Sequence, residues 1–247
     1  MKNLYLGVKF SFSYFTIIPL RFKSSDDLSK PEVLNHMLLT LPSVGFVLGA
    51  LTVFLYTLLA KFGWYGATIS AVSYMLLYGF IHTEAVVDVY DAIYASHSGR
   101  DAFDIIKEPT VGALGVLYAF AFMMLKVAGI ILLFTQNLLT EFMAVLIISR
   151  LSLITQIMLH DFKSSFVTGL KESLDYWYLT PLFLVFTSIG SYLTPYFVLY
   201  LIVGIVLGFV ISVFFASKLK FVNGDVLGAT LEGVEILLFM LVGWFMI

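Results

Sequence analysis

Three acidic residues share one face of a short segment in an otherwise apolar chain. Glu84, Asp88 and Asp91 lie in HTEAVVDVYDA, at the end of an apolar run, spaced four and three residues apart. On a helix these positions form one stripe. At the end of a membrane helix the mutual repulsion of such carboxylates is costly unless a cation compensates it. Magnesium, which binds carboxylate oxygens together with waters and phosphates, suits the stripe; a solvated helix end is the alternative interpretation.

A second acidic group comes just before the last apolar run. The segment NGDVLGATLEGVE places Asp225 in a turn with Gly224 and Gly228, and it continues to Glu232 and Glu235. Glycine permits close backbone approach or a positive φ at such positions. Carboxylates near a helix N-terminus also complement the helix dipole, so a capping role is the alternative for Glu232. Asp225, between glycines, is harder to explain by capping alone.

A third segment, IIKEPTVGALG, contains a lysine that suits a phosphate. Lys107 could neutralise a phosphate and Glu108 could join a metal site; a charged loop ended by Pro109 is the alternative. Acidic clusters with a lysine at a membrane surface suit phosphoryl or nucleotidyl transfer, which mainly needs charge neutralisation and alignment of the reacting groups. Neither a Walker A sequence nor a dinucleotide fingerprint is present. The residues alone leave open a metal-dependent membrane phosphotransferase and a cation or proton transporter.

The composition indicates a membrane protein. Of the 247 residues, 60% are hydrophobic and 12% are charged, about half the charged share of a usual soluble domain. The mean hydropathy is +0.99. The apolar segments are continuous rather than alternating, which indicates helices and not barrel strands. We therefore expect an all-α, polytopic integral membrane helical bundle, with residues 1–247 forming one domain in a lipid bilayer. Cysteine is absent, which excludes disulfides and thiol chemistry, and nothing indicates a nucleic-acid partner.

About seven membrane spans are expected. A spanning helix needs about 20 mostly apolar residues, and the runs of this kind are residues 41–60, 66–81, 112–135, 142–159, 179–193, 196–216 and 231–247. Two of them, 66–81 and 179–193, are short. Residues 4–20 contain Lys9 and several hydroxyl groups, which favours an amphipathic helix in the membrane interface.

The segments between the spans are of two kinds. The charged ones are residues 1–40, 82–111, 160–178 and 217–230, and the nearly bare ones are residues 61–65, 136–141 and 194–195. Alternation of seven spans places every charged segment on one side. Eleven of the 14 Lys and Arg lie there; the others are Lys61, Lys126 and Arg150. By the positive-inside rule that side is the cytoplasm, so the site is expected at the cytoplasmic face of a bacterial inner membrane.

The motifs resemble those of the cobalamin synthase family, which are integral membrane adenosylcobinamide-GDP ribazoletransferases. That family typically carries T-G-G-L-H-x-D-G-x-x-D-x-x-D-G, and YGFIHTEAVVDVYDA aligns His82 and the three acids of the first stripe with it. The family's K-D-S-x-x-G-x-x-G resembles KEPTVGALG, and its G-D-V-L-G-A-x-x-E-x-x-E resembles GDVLGATLEGVE. YFTIIPL and LPSVGFVLG resemble its F-L-T-R-I-P and F-P-x-V-G-x-x-x-G, and Arg150 resembles an arginine of its middle helix.

The chain departs from the family pattern at several positions but loses no acid. Alanine or phenylalanine replaces glycine at Phe80, Ala85 and Ala92, glutamate replaces aspartate at Glu84 and Glu108, and Ile17 replaces an arginine. Glutamate keeps the carboxylate ligand with one more methylene. At the three positions where glycine is replaced, a side chain occupies the space in which another backbone could approach closely.

The resemblance implies a reaction and a set of residues. A hydroxyl of α-ribazole, or of its 5′-phosphate, attacks the phosphorus on the cobinamide side of adenosylcobinamide-GDP; GMP leaves, and adenosylcobalamin or its 5′-phosphate forms. Mg²⁺ would be bound by Glu84, Asp88 and Asp91, with Asp225 as a further ligand or a general base. Catalysis would involve Asp88, Asp225 and Lys107. The residues implied to contact substrate are His82, Lys107, Glu108, Arg150, Gly224, Gly228, Glu232 and Glu235.

Other interpretations remain open at the level of sequence. An ion-coupled transporter would use Arg150, Lys126 and the acids as a relay, with Lys126 alternatively bending toward the interface. A CDP-alcohol phosphotransferase would need a D-G-x-x-A-R signature, which is absent. A non-catalytic membrane subunit is a third alternative. His82 lies on the opposite side of the helix from the acids, which favours a structural histidine. A homo-oligomer, or association with other cobalamin-assembly enzymes, is compatible with the sequence.

Overall fold

The chain folds into helices throughout the part that the structure describes. The computed structural model describes residues 1–97 and 99–246. Ser98, in the expected cytoplasmic segment 82–111, and Ile247, the end of the expected last span, lie outside these ranges. Within them the chain forms eleven α-helices and one short 3₁₀ turn, and no strand. The predicted all-α class is confirmed.

The helices follow one another with short connections. In chain order they are α1 (Lys2–Phe15), α2 (Pro31–Leu59), α3 (Trp64–Leu77), α4 (Ile81–Ser96), α5 (Ala102–Ile105), α6 (Ala113–Thr135), α7 (Leu139–Leu159), α8 (Ser165–Ser173), α9 (Tyr176–Leu193), α10 (Phe197–Leu219) and α11 (Gly224–Met246). The 3₁₀ turn, Ala60–Phe62, follows α2 directly.

Five helices of the described residues are long and apolar enough to cross a membrane. They are α2 together with the 3₁₀ turn, α6, α7, α10 and α11. This confirms a polytopic membrane bundle. The expected runs 66–81 and 179–193 correspond to α3 and α9, which have 14 and 18 residues and do not meet this standard of length and hydropathy.

Two helices form the centre of the bundle. In α7 and in α11, 78% of the most apolar window is buried, against 28% in α6 and 33% in α10. Small residues let neighbours approach the centre closely. A Cβ added at Gly45 of α2 would lie 2.4 Å from the Leu146 carbonyl oxygen of α7, and one at Gly204 of α10 would lie 2.5 Å from Ile148. Helices α2 and α10 therefore pack closely against α7.

The N-terminal helix is shorter than expected and lies on α2. It ends at Phe15, so residues 16–20 are not helical. A Cβ added at Gly7 would lie 2.4 Å from the His36 Cβ, which brings α1 against the first turns of α2. The Ile17 N–H donates to the Leu77 carbonyl at 2.9 Å, so the segment after α1 is tied to the end of α3.

A sharp break separates α3 from α4. Gly79 and Phe80 both have left-handed backbone, with φ of +67° and +55°. Glycine adopts this conformation freely, whereas a residue with a Cβ pays roughly 1–2 kcal/mol. Phe80 is one of the positions where the cobalamin synthase pattern has glycine, and its φ gives the physical reason. The break redirects the chain so that α4 lies against α11.

The charged segments meet at one end of the bundle. The Lys163 N–H donates to the Val222 carbonyl at 2.9 Å, which joins the loop after α7 to the loop before α11. The Asp175 N–H donates to Asn35 Oδ1 at 3.2 Å, which joins the start of α9 to α2. The acidic stripe of α4 and the first turn of α11 lie at this same end.

Candidate functional site

The acidic positions of α4 and α11 are brought together by one close contact between these helices. A Cβ added at Gly228 would lie 2.7 Å from the Cβ of Ala85, so the two helices touch there without room for a side chain. Asp88 follows Ala85 by three residues, and Asp225 precedes Gly228 by three. In an antiparallel helix pair both displacements run in the same direction. The contact therefore directs Asp88 toward Asp225, as the two motifs predicted.

The carboxylates at this place are uncompensated. Burial raises the pKa of Asp88 to about 6, and the negative charges of Asp225, Glu84 and Asp91 contribute in that order. Among the described residues, no lysine, arginine or histidine forms an ion pair with Glu84, Asp88 or Asp225. We call these three residues the acidic site. Carboxylates that lie close together in a partly buried place repel one another, and a cation bound beside them would relieve that repulsion.

Asp91 has a different task from the metal ligand that was expected. Its Oδ1 accepts the Gly115 N–H at 2.7 Å and its Oδ2 accepts the Gly112 N–H, both at the start of α6. Cβ atoms added at Gly112 and Gly115 would lie 2.5 and 2.6 Å from its carboxyl group. Asp91 thus satisfies N–H groups at the N-terminus of α6, where a negative charge is also favoured by the dipole. It positions α6 against α4.

The acidic site is not a complete metal cage by itself. Within residues 1–97 and 99–246, no group of three or more His, Asp or Glu is close enough to hold a metal ion. Mg²⁺ commonly uses one or two carboxylates and completes its shell with waters and substrate phosphates. Glu84, Asp88 and Asp225, which form no ion pair among the described residues, fit that mode of binding, and they do not fit an all-protein site.

Asn223 orients Asp225, a role that the sequence did not reveal. The Val226 N–H donates to Asn223 Oδ1 at 3.0 Å, and Asn223 Nδ2 donates to Asp225 Oδ2 at 2.7 Å. Asn223 therefore caps α11 and fixes the carboxylate at the same time. Gly224 has no positive φ, and a Cβ there would meet its nearest neighbour at 3.8 Å. The close approach expected of both glycines occurs at Gly228.

An open groove lies beside Asp225. It has a volume of about 610 Å³ and includes Lys107, which faces the groove with no ion-pair partner among the described residues. We call it the polar groove; its walls are Tyr14, Phe103, Ile106, Lys107, Lys163, Ser164, Ser165, Phe166, Val167, Asn223, Gly224 and Asp225. An anion in this groove would contact Lys107 while lying next to the turn that holds Asp225.

A smaller apolar pocket of about 130 Å³ adjoins the groove. Tyr14, Phe166 and the Asp225 turn form walls of both spaces. His82 lines the apolar pocket, and its ring stacks between Phe15 and Tyr78 with centroid distances of 6.0 and 5.6 Å. His82 therefore lies apart from the acidic stripe, as its helical position indicated.

Glu108 lies away from the acidic site. It forms an exposed ion pair with Arg100, and both line another groove with Asp91 and Thr110. The expected contact of Glu108 with substrate or metal at the Asp225 groove therefore has no support in the geometry. The pairing is consistent with a loop that closes the segment before α6.

The remaining charged residues of the motifs form a buried ionic network. Lys126 Nζ lies 2.6 Å from Glu232 and 2.7 Å from Glu235, and Arg150 also pairs with Glu235. All four side chains are at most 4% exposed. Their charges cancel, which makes burial in the bundle tolerable. Lys126 therefore does not bend toward the interface.

Tyrosines complete this network from α3. The Tyr74 hydroxyl donates to both Glu235 oxygens at 2.9 and 3.0 Å, and the Tyr78 hydroxyl donates to Glu232 at 2.7 Å. Arg150, Glu232 and Glu235 were expected to contact substrate. Because their hydrogen bonds are satisfied inside the bundle, we revise that expectation to a structural role that joins α3, α6, α7 and α11.

The fold and the site define a class: a polytopic helical membrane protein with a groove at its charged end, lined by Asp225 and by lysines that form no ion pair among the described residues. The chain belongs to the cobalamin-5-phosphate synthase family, whose sequence model matches residues 7–243.

Curated relatives match along nearly the whole chain. A protein of Clostridium perfringens named adenosylcobinamide-GDP ribazoletransferase is 27% identical and covers 98% of this chain and 99% of its own length. Proteins of the same name from Clostridium acetobutylicum and Brevibacillus brevis are 25% and 24% identical; they cover 89% and 94% of this chain, and 88% and 95% of their own lengths. No solved structure matches significantly.

Proposed function

We propose that this chain is an adenosylcobinamide-GDP ribazoletransferase. It joins adenosylcobinamide-GDP with α-ribazole, or with its 5′-phosphate, and releases GMP. The observation that carries this proposal is the polar groove, where Lys107 and the Asp225 turn face the same space beside the uncompensated acids of α4. Full-length relatives of that name support the choice of substrates.

The reaction replaces a phosphoanhydride bond with a phosphate ester bond. The attacking hydroxyl oxygen forms a bond to the phosphorus on the cobinamide side, and the bond from that phosphorus to the GMP oxygen breaks. Such transfers depend mostly on alignment and on neutralising charge. Lys107 binds phosphate oxygens, and Asn223 holds Asp225 in place beside them. Asp225, which lines the polar groove, would accept the proton of the attacking hydroxyl.

Glu84 and Asp88 would hold Mg²⁺ together with the substrate phosphates. When bound, the ion supplies neutralisation of the charge that develops on the leaving GMP oxygens. The uncompensated carboxylates support this assignment, and Asp91 acts indirectly by positioning α6.

The site faces the cytoplasm of a bacterial inner membrane. Eleven of 14 Lys and Arg lie in the charged segments, and the polar groove lies at the end where these segments meet. Cytoplasmic loops carry the excess of Lys and Arg in membrane proteins.

The experiment that tests the function is a product assay. Purified protein in detergent is supplied with adenosylcobinamide-GDP, α-ribazole and Mg²⁺, and GMP and the corrinoid product are followed by chromatography. We expect equal amounts of both, and loss of both on addition of EDTA. GMP release without joining, or full activity in EDTA, would refute the reaction or the metal dependence respectively.

The rival transporter interpretation receives no comparable support. A relay needs charges that link the acids of α4 to the interior. Lys126 and Arg150 are instead paired with Glu232 and Glu235. These pairs are fully satisfied and form a structural cluster.

A further inference from the structure

Lys163 shares an aromatic ring with Lys107 in the polar groove. Their Nζ atoms lie 3.9 and 3.6 Å from the centroid of the Phe103 ring. Within the described part of the chain neither lysine forms an ion pair with a carboxylate. Two ammonium groups therefore lie against one aromatic ring, and neither has an ion-pair partner among the described residues.

The position of Lys163 is fixed by its surroundings. Its N–H donates to the Val222 carbonyl at 2.9 Å, so it lies beside the turn that contains Asn223 and Asp225. The Phe103 ring packs edge-on against Phe221, with a centroid distance of 5.1 Å. Phe103 of α5 therefore contacts both the loop after α7, through Lys163, and the loop before α11, through Phe221. These contacts form one wall of the groove.

This arrangement is poorly balanced without an anion. Attraction to an exposed aromatic ring contributes about 0.5–1 kcal/mol for each ammonium, and the two like charges repel each other. A phosphoanion between them would relieve the repulsion. A diphosphate has two charged centres and would engage both lysines, while its other oxygens remain free for a cation at the acidic site.

We propose that Lys163 is a second phosphate-binding residue, which acts with Lys107 to hold the diphosphate of the substrate in the polar groove. The identity of the substrate rests on the proposed function; the binding of a phosphoanion does not. The same chemistry would attract a lipid phosphate, so the test separates a soluble phosphoanion from an anionic lipid headgroup.

Binding of inorganic pyrophosphate is measured by calorimetry on the full chain in dodecyl maltoside with Mg²⁺. Lys163→Gln should weaken binding about tenfold or more, because a charge-assisted bond is lost. Lys163→Arg should retain most of the affinity. The matched control is Lys218→Gln, since Lys218 lies over a phenylalanine ring at 5.9 Å but does not line the groove; it should bind as the wild type does.

Several results would overturn the proposal. They are a wild type that does not bind pyrophosphate, a Lys163→Gln variant that binds it normally, and an equal loss in Lys218→Gln. In nanodiscs with phosphatidylglycerol, loss of lipid-dependent thermal stabilisation in Lys163→Gln with unchanged pyrophosphate binding would assign the lysine to lipid and also overturn it.

Kinetics on the same preparations separate this proposal from the proposed function. If the protein joins the substrates, Lys163→Gln should raise the KM for adenosylcobinamide-GDP about tenfold and leave the KM for α-ribazole unchanged. A wild type that binds pyrophosphate through Lys163 but makes no product would refute the function and keep the binding site. A productive wild type whose KM values are unaffected by Lys163→Gln would refute the binding site and keep the function.

Discussion

At the scale of single residues, the acidic site stores an electrostatic cost that a ligand can relieve. The folded-state pKa of Asp88 is raised to about 6, above the value of about 3.9 in an unfolded chain. The folded state therefore binds this proton more tightly, and the contribution of Asp88 to stability falls as the pH rises from about 4 to about 6. At neutral pH the charged carboxylate therefore destabilises the fold, and a cation bound beside it would offset this cost.

We predict that Asp88→Asn stabilises the metal-free protein. In EDTA at pH 7.5 the gain should be about 1 kcal/mol, which allows for solvent screening of a half-exposed group. The gain should shrink at pH 5, where the wild-type carboxyl is protonated. Thermal unfolding in detergent measures both. Mg²⁺ should raise the Tm of the wild type more than that of the variant, and Asp104→Asn, an exposed acid of α5, is the control. A variant that responds to Mg²⁺ as the wild type does would contradict the metal assignment.

The sequence predicted which acids share a face, because helical spacing determines direction along a helix. It did not predict what each acid meets. Asp91 accepts N–H groups that lie 21 and 24 residues further along the chain, and only packing of α4 on α6 brings them together. Lys163 and Asn223 escaped notice because a single lysine or asparagine in a polar loop has no distinguishing pattern.

At the scale of elements, the contact between α4 and α11 sets the geometry of the site. A methyl group at position 228 would meet the Ala85 Cβ at 2.7 Å, and the next contact, to His82 Nδ1, is an ordinary 3.6 Å. The helices must therefore separate if Gly228 gains a side chain.

We predict that Gly228→Ala destabilises the protein by about 1–3 kcal/mol, as overpacking does, and lowers turnover by displacing Asp88 from Asp225. Addition of Ala85→Gly should restore much of both, because it removes the opposing Cβ. Unfolding temperature and GMP release are the measurements. Gly169→Ala, whose Cβ would meet Leu34 at an ordinary 3.8 Å, is the control. If Ala85→Gly fails to rescue, the contact is not what limits the variant.

A second prediction at this scale concerns the buried ionic network. Lys126→Met removes the cation that pairs with Glu232 and one of the two cations that pair with Glu235. Because buried negative charge is then left uncompensated, we expect the variant to be destabilised by about 3–5 kcal/mol. Combination with Glu232→Gln should recover part of the loss, since the stranded charge is removed. Thermal unfolding in detergent decides the matter; additive losses in the double variant would mean that the two residues do not act as a pair.

The same network explains why the last helix was placed too late. From the sequence, Asp225, Glu232 and Glu235 mark a polar segment, and the span was expected to begin at residue 231. The helix begins at Gly224, because partners on three other helices satisfy both glutamates inside the bundle. A hydropathy profile cannot predict this earlier start of the helix, because it scores each charged residue without its partners.

At the scale of the whole molecule, the charged segments gather at one end, as the distribution of Lys and Arg predicted. Sidedness itself rests on the positive-inside rule.

We predict opposite labelling at the two ends. Because the chain has no cysteine, Asp104→Cys and Lys61→Cys each give a single thiol at an exposed position. In intact cells an impermeant maleimide should label the cysteine at position 61, and it should label that at position 104 only after permeabilisation. The reverse pattern would place the groove on the outside.

The short connections at the other end of the bundle bear on how a substrate would reach the site. There the helices are joined by residues 60–63, 136–138 and 194–196, which are connections of three or four residues. The polar groove and the apolar pocket share walls at Tyr14, Phe166 and the Asp225 turn, at the charged end. A substrate held in these two spaces would therefore enter, and its product leave, on the same side of the bilayer.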